Sequence, residues 1–172
     1  MKIALVTDAW LPQTNGVVRT LTVTAEKLAQ LGHEVVPITP LDFRTIPCPT
    51  YPEIRLSLFA ARRVRQRLDA LDPDAVHIAT EGPLGLAARR WCLRRGRDFT
   101  TSYHTQFPEY VRARFPIPLG VSYAFLRWFH GKAAHTLVAT PSMRAALEAR
   151  GFRNLAYWSR GVDTNLFRPR DE

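Results

Sequence analysis

Short apolar runs alternate along this chain with longer stretches in which apolar residues recur every three or four positions. The run Ile3 to Val6 has the length of a buried strand, whereas Leu21, Ala25 and Leu28 share one stripe of a helix. The pattern predicts strands at residues 3–7, 35–39, 54–58, 75–79, 99–103 and 136–140, with helices at about 18–31, 62–71, a stretch ending near 95, and 141–151. We therefore predict an α/β fold, a Rossmann-like parallel sheet with helices on both faces.

One segment interrupts this alternation. Residues 45–53 contain three prolines, which donate no backbone hydrogen bond, so we expect the segment to be irregular. The chain has 172 residues, of which 46% are hydrophobic, and this is enough for one domain with its own core, which we assign to residues 1–158. Cys48 and Cys92 lie far apart and have no Cys or His at metal spacing. We predict no disulfide framework and no metal site.

Several sequence signatures are missing from the chain. No Gly-x-Gly-x-x-Gly follows the first strand, which disfavours a dinucleotide cofactor, and no P-loop motif is present. Met1 and Lys2 lead directly into a short strand, and no apolar run reaches the length of a membrane span. These features predict a cytoplasmic protein without a cofactor, and leave open a peripheral position on the inner face of the membrane.

The formal charge of +9, with a pI near 10.4, indicates an anionic partner. Basic residues crowd one predicted helix, where they are Arg62, Arg63, Arg65 and Arg67. A solvated helix face and an anionic lipid surface explain this cluster equally well. Nucleic acid ranks last as a partner, because the chain has no helix-turn-helix, RNP, KH or zinc-finger pattern.

Candidate chemistry follows three of the predicted strands. In open parallel sheets, ligands bind beyond the carboxyl ends of the strands, so the loops at 8–18, 80–85 and 104–110 share one rim. Gly16 can expose the amides that open the next helix, which is a ready anion site. His104 is the strongest single candidate, because it follows a strand directly and titrates near neutral pH. Groups in these loops that could bind a sugar or a phosphate are Asn15, Gly16, Glu81, Tyr103, His104, Thr105 and Glu109.

The other histidines fit structural roles. His77 lies between Val76 and Ile78 inside a strand and is expected to pack or to cap a neighbour, whereas His33, His130 and His135 have no evident chemical partner. Asp8 and Glu81 could form a carboxylate pair only if the fold brings them together.

These loops carry a resemblance to a known family. Four elements occur in order: residues 8–18 with Pro12 and Asn15-Gly16-Val17, then 81–83, then Tyr103-His104-Thr105, and finally 161–163 followed by 167–169. In them the chain resembles the amino-terminal, acceptor-side domain of retaining GT-B glycosyltransferases of family four, over nearly its whole length. The pattern is similar to that of the GDP-mannose-dependent α-mannosyltransferases and sulfoquinovosyltransferases of this family.

The resemblance implies a role for each matched residue. Gly16 and Val17 are expected to offer backbone amides to the donor diphosphate, and His104 to contact the donor sugar at the reaction centre. The acceptor side then falls to Asn15, Glu81, Tyr103 and Thr105, by position. The implied substrates are a nucleotide-diphosphate sugar, with GDP-mannose as one option, and a lipid or glycan acceptor. Such a site works by positioning and by stabilising the leaving diphosphate, and no covalent nucleophile is needed from this domain.

The resemblance also bears on domain organisation. Residues 159–172 correspond to the start of an interdomain linker, and the donor-binding carboxyl-terminal domain of the family is missing from this sequence. We therefore expect little or no sugar transfer by these 172 residues alone. The alternative is a non-catalytic module that binds a phosphorylated ligand or a sugar at the same rim.

Overall fold

The computed structural model describes residues 1–48, 51–104, 112, 117–159 and 161, without the side chains of 51–53. The strands are β1 (Lys2–Val6), β2 (Glu34–Ile38), β3 (Thr45–Cys48), β4 (Tyr51–Ser57), β5 (Ala75–Ile78), β6 (Thr100–Ser102), β7 (His135–Val138) and β8 (Leu155–Tyr157). Six of these strands form one parallel sheet in the order β2-β1-β5-β6-β7-β8. The helices are α1 (Gly16–Gln30), α2 (Ala60–Leu71), α3 (Pro83–Arg95), α4 (Leu119–His130) and α5 (Pro141–Glu148), with a short 3-10 helix at Pro40–Asp42.

Helices cover the two faces of the sheet unequally. Alternate strand residues point to opposite faces, and the larger core joins Val6 and Ile78 of the sheet to apolar residues of α2, α3 and α4. A second core on the same face joins β7 and β8 to α4 and α5. On the other face Leu5 packs against Leu21 of α1. The predicted α/β fold with helices on both faces is confirmed.

One expectation about local structure was wrong, and two elements were not predicted. The described residues of segment 45–53 are not irregular, because β3 and β4 pair antiparallel with a register shift between Pro47 and Cys48. A bulge of this kind lets a proline sit in a two-stranded ribbon. The periodicity also predicted neither α4 nor β8, although β8 completes the sheet beside β7.

The carboxyl ends of α3 and α4, which lead into β6 and β7, are each fixed by local interactions. Gly96 ends α3 in the left-handed conformation at a φ of 60°, as predicted from its position. The Arg89 guanidinium, buried in α3, donates to the carbonyls of Trp128 and Phe129 at the last turn of α4. Because α4 is held at its carboxyl end, His130 is fixed over the sheet. In the described part of the chain, no helix has the length and apolarity needed to cross a membrane.

Candidate functional site

The candidate rim is formed by the loops that follow β1, β5 and β6. These three strands are neighbours in the sheet and run parallel, so the residues after them leave the sheet side by side. The fold therefore places two of the three predicted loops, and the start of the third, on one edge. Thr105 and Glu109 lie outside the described residues.

Asp8 anchors the loop after β1 to the beginning of α3. Its carboxylate accepts hydrogen bonds from the backbone N–H of Leu84 at 2.8 Å and of Gly85 at 3.3 Å, and from the Thr80 hydroxyl at 2.8 Å. Gly82 makes this approach possible, because a Cβ there would lie 2.5 Å from the Asp8 Cγ. Burial raises the pKa of Asp8 to about 6 despite these bonds, and the nearby negative charge of Glu81 contributes to the rise.

Glu81 is held by a histidine that the sequence did not single out. The His130 Nε2 lies 3.1 Å from Glu81 Oε1, and its Nδ1 lies 2.8 Å from the Thr101 hydroxyl. His130 is fully buried, while the Glu81 side chain keeps 20% of its surface exposed. The expectation that His130 has no partner was therefore wrong. The signal that could have found it is the pair Thr101 and Thr136, two polar residues at inward positions of strands that lie side by side.

His104 lies on the other side of the rim. Its ring meets Trp158 edge to face, with 5.7 Å between centroids, and Trp158 meets His77 in the same way at 5.8 Å. His77 also bonds the hydroxyls of Thr100 at 2.8 Å and Ser102 at 2.6 Å, as its predicted structural role requires. Burial lowers the pKa of His77 to about 4, helped by the charge of His104. Trp158 is a site neighbour that the sequence patterns did not reveal.

Asn15 caps α1. Its side-chain Oδ1 accepts from the backbone N–H groups of Val17 and Val18, each at 3.0 Å, while Asn15 and Gly16 are exposed. The amide of Val17 is thus bonded to Asn15 in this structure, and a phosphate at that amide would have to displace the Asn15 carboxamide. No acidic residue occupies the first turn of α1, so its positive end is not neutralised there. Val17 and Trp158 pack against the same apolar cluster, which brings the start of α1 near the His104 side.

Two arginines of α2 contact the segment that follows β2, where Arg67 meets Asp42 and Arg63 meets Phe43. Arg62, Arg63 and Arg65 are exposed, whereas Arg67 forms an ion pair with Asp42. The Arg63 guanidinium stands 5.6 Å from the centre of the Phe43 ring. Phe59, at the start of α2, is 92% exposed. The helix therefore presents positive charge beside an exposed aromatic ring.

A cavity of about 450 Å³ lies between α1 and the sheet. Its walls are mostly apolar and include Leu21, Leu28 and Leu137, and it reaches His77 and Trp158. Within the described ranges, no three side chains of His, Cys, Asp or Glu come together as a metal site would need. The polar groups of the rim are suited to hydrogen-bonding a hydroxylic ligand.

Comparison with known proteins adds to this geometry. Residues 14–166 match the family model described as Glycosyltransferase Family 4. The chain is 26% identical over 98% of its length to a GDP-mannose-dependent alpha-mannosyltransferase of Mycobacterium tuberculosis, covering 50% of that protein. It is 29% identical over 83% of its length to the sulfoquinovosyl transferase SQD2 of Arabidopsis thaliana, covering 31% of it.

A third relative has a name that describes the synthesis of a glycolipid. An alpha-monoglucosyldiacylglycerol synthase of Acholeplasma laidlawii is 33% identical over 64% of this chain, which covers 31% of that enzyme. The chain spans about half the length, or less, of the curated relatives it matches.

Proposed function

Because the chain belongs to glycosyltransferase family 4, we propose that it is the acceptor-side half of a retaining glycosyltransferase. The complete enzyme transfers a hexose, mannose or a similar sugar, from a nucleotide-diphosphate donor to a lipid or glycan acceptor. The observation that carries the proposal is the rim itself, where Glu81 and His104 follow adjacent parallel strands beside the start of α1. A second, donor-binding domain completes the cleft.

In this proposal the start of α1 binds the donor diphosphate. The helix has an exposed Gly16 at its first position and no acidic side chain in its first turn, so an anion gains both N–H groups and the favourable helix dipole. Rotation of the Asn15 side chain releases the amide of Val17 for a phosphate oxygen. This arrangement stabilises negative charge as it develops on the leaving diphosphate.

His104 contacts the donor sugar at the reaction centre, with its ring held against Trp158. Glu81 accepts a hydrogen bond from an acceptor hydroxyl, and Asn15, Tyr103 and Thr105 complete the acceptor contacts. Orientation of two hydroxylic partners is the main contribution of such a site, since no covalent nucleophile takes part.

The first test replaces His104 by Ala in the complete product of the gene. Radiolabelled transfer is measured from GDP-mannose and from UDP-glucose to vesicles that contain diacylglycerol. We expect the variant to lose at least about 100-fold in kcat/KM, the scale of a lost positioned polar group at a reaction centre. His135→Ala is the matched control, because His135 is exposed at the beginning of β7, the end of the sheet opposite the rim.

A different result would favour the alternative function. A complete product that binds nucleotide sugar or sugar phosphate by calorimetry but transfers none, with or without His104, would favour the non-catalytic module. The 172-residue chain is expected to transfer little or nothing when tested alone.

We also propose that α2 docks the enzyme on the inner face of an anionic membrane, where it meets a lipid acceptor. The support is local: Arg62, Arg63 and Arg65 are exposed next to Phe59, and each arginine near an anionic surface contributes about 1 kcal/mol. Vesicle sedimentation of R62Q/R65Q should show weaker binding than R19Q/R153Q, which removes the same charge elsewhere. Wild-type binding that ignores both phosphatidylglycerol content and salt would contradict this.

A further inference from the structure

Four side chains form a hydrogen-bonded line from the interior of the sheet to the rim. Thr136 and Thr101, on adjacent strands, have hydroxyl oxygens 3.1 Å apart. Thr101 is 2.8 Å from His130 Nδ1, and His130 Nε2 is 3.1 Å from Glu81 Oε1. The first three residues are completely buried, and only Glu81 reaches the surface.

The chemistry of these groups fixes the direction of the line. A carboxylate can only accept a hydrogen bond, so His130 Nε2 carries a proton and its N–H donates a hydrogen bond to Glu81. When the imidazole is neutral, its Nδ1 accepts from the Thr101 hydroxyl, whose oxygen accepts from Thr136. Every buried polar atom of the line is thereby satisfied with an uncharged histidine. The line ends on the one member that a ligand can reach.

The imidazole plane is fixed by its surroundings. Phe129, Phe152 and Tyr103 surround the ring, with centroids at 5.1, 6.1 and 6.2 Å. The backbone next to Glu81 is fixed as well, because Asp8 bonds the Thr80 hydroxyl on one side and the amides of Leu84 and Gly85 on the other. Glu81 is thus held at both its backbone and its carboxylate.

We propose that His130 is a positioning residue, which holds the Glu81 carboxylate in the orientation that binds the acceptor hydroxyl. The inference rests on the proposed function, since it needs an acceptor at Glu81. The inference goes beyond the proposed function, because it assigns a role to a buried helix residue that touches no substrate. Without His130, Glu81 would still be present but its carboxylate would lose its fixed direction, and the acceptor would bind less well while the donor would not.

The test is a double-mutant cycle in the complete gene product, using His130→Phe, Glu81→Ala and both together. Phe keeps the aromatic packing and removes the donor. With diacylglycerol vesicles as acceptor, we expect each single change to raise the acceptor KM about 10-fold, the scale of a lost hydrogen bond to a charged group. The donor KM should stay within about twofold.

The double variant separates positioning from folding. If His130 acts through Glu81, adding His130→Phe to Glu81→Ala should change the acceptor KM by less than about twofold. Equal effects of His130→Phe in both backgrounds, or a matching rise in the donor KM, would overturn the inference. Circular dichroism and thermal unfolding check that each variant folds, and His135→Gln serves as the exposed control.

If His130→Phe does not fold, His130→Gln replaces it, because its amide keeps an N–H that can reach a carboxylate. An acceptor KM of His130→Gln that lies between those of the wild type and Glu81→Ala supports positioning. An acceptor KM as high as that of Glu81→Ala overturns it. Failure of the two proposals is distinguishable. A wild-type protein without transfer overturns the proposed function and this inference with it, while an active wild type with additive changes overturns the inference alone.

Discussion

Thr100 and Thr101 are neighbours in β6, yet they bond different histidines on opposite faces of the sheet. Thr100 faces α1 and bonds His77 Nδ1, while Thr101 faces α4 and bonds His130 Nδ1, both at 2.8 Å. The two histidines differ in the partner of their other ring nitrogen, Nε2. His77 Nε2 meets the Ser102 hydroxyl within the same sheet, whereas His130 Nε2 meets the Glu81 carboxylate at the rim.

This contrast shows that burial and bonding at a histidine do not reveal its role until the last partner is known. A histidine between two hydroxyls is a closed unit, because both partners belong to the sheet and each can donate or accept. A histidine between a hydroxyl and a carboxylate is directional, and here it fixes the orientation of a carboxylate that is partly exposed at the rim. We call His77 with Thr100 and Ser102 the His77 unit, and His130 with Thr101 and Glu81 the His130 unit. Changes in the His77 unit are expected to lower mainly the stability of the fold, whereas changes in the His130 unit are expected to alter the candidate site.

The largest effect should come from breaking the loop that carries Glu81. A Cβ at Gly85 would lie 1.9 Å from the carbonyl oxygen of Thr80, so Gly85→Ala forces the backbone beside Glu81 to move. We expect a loss of about 3 kcal/mol or more in the free energy of unfolding, the scale of overpacking against rigid backbone. Urea denaturation of the variant measures it.

Gly120→Ala is the matched control, because nothing lies within 4 Å of a Cβ built at that helical glycine. It should leave stability unchanged or raise it by up to about 1 kcal/mol, since Ala favours a helix more than Gly does. Similar losses in the two variants would mean that the Thr80 to Gly85 loop is not rigid, and the His130 unit would then lack its fixed end.

The next effect is a difference in pH dependence between the two regions. The pKa of His77 is about 4 in the folded state, below its ordinary 6.5, so its contribution to stability is complete above pH 6.5 and is lost as the pH falls towards 4. The stabilisation of the wild type relative to His77→Asn should therefore shrink by about 2 kcal/mol between pH 7 and pH 5. Guanidinium unfolding at both pH values measures the change.

Asp8 should show the opposite sign. Its folded pKa of about 6 lies above the ordinary 3.8, so its ionised form destabilises the fold above pH 6, and this cost is relieved as the pH falls from 6 to 3.8. Relative to Asp8→Asn, the wild type should gain about 1 kcal/mol between pH 7 and pH 5. Between pH 7 and pH 5, the stability of the wild type relative to His77→Asn and relative to Asp8→Asn should change in opposite directions. Changes in the same direction would contradict the separation of the two regions.

Much of the sheet was predictable, because its strands are continuous apolar runs between clear punctuation. The runs at Ile3 and Ala75 predicted β1 and β5 to within a residue or two, and Gly96 predicted the end of α3. The short strand β8 was missed, since three residues are too few for a period to show. Helix α4 was missed because its aromatic residues occur on several sides, so the stripe of a half-buried helix is not visible in Leu119–His130.

The site was predictable only in the parts that follow strands. Glu81 and His104 come directly after β5 and β6, and strand order alone places them on one edge. His130 reaches that edge from a helix end, and Trp158 reaches it from the position directly after β8, a strand that the sequence did not predict. Their positions depend on contacts between distant parts of the chain, such as the bonds from Arg89 to the carbonyls at the end of α4, and no local spacing encodes such contacts.

The smallest effect is also the sharpest comparison, because it uses two adjacent residues of one strand. Thr100→Val and Thr101→Val each remove one hydroxyl from one histidine at nearly constant volume, and each should cost about 1 kcal/mol in the free energy of unfolding. Only Thr101→Val should also raise the acceptor KM, by about threefold, because His130 then loses the donor that favours the Nε2 proton facing Glu81. Steady-state kinetics with diacylglycerol vesicles resolve this difference. A rise in acceptor KM for Thr100→Val, equal to that for Thr101→Val, would show that both histidine units reach the site, and that the second partner of the imidazole does not decide its role.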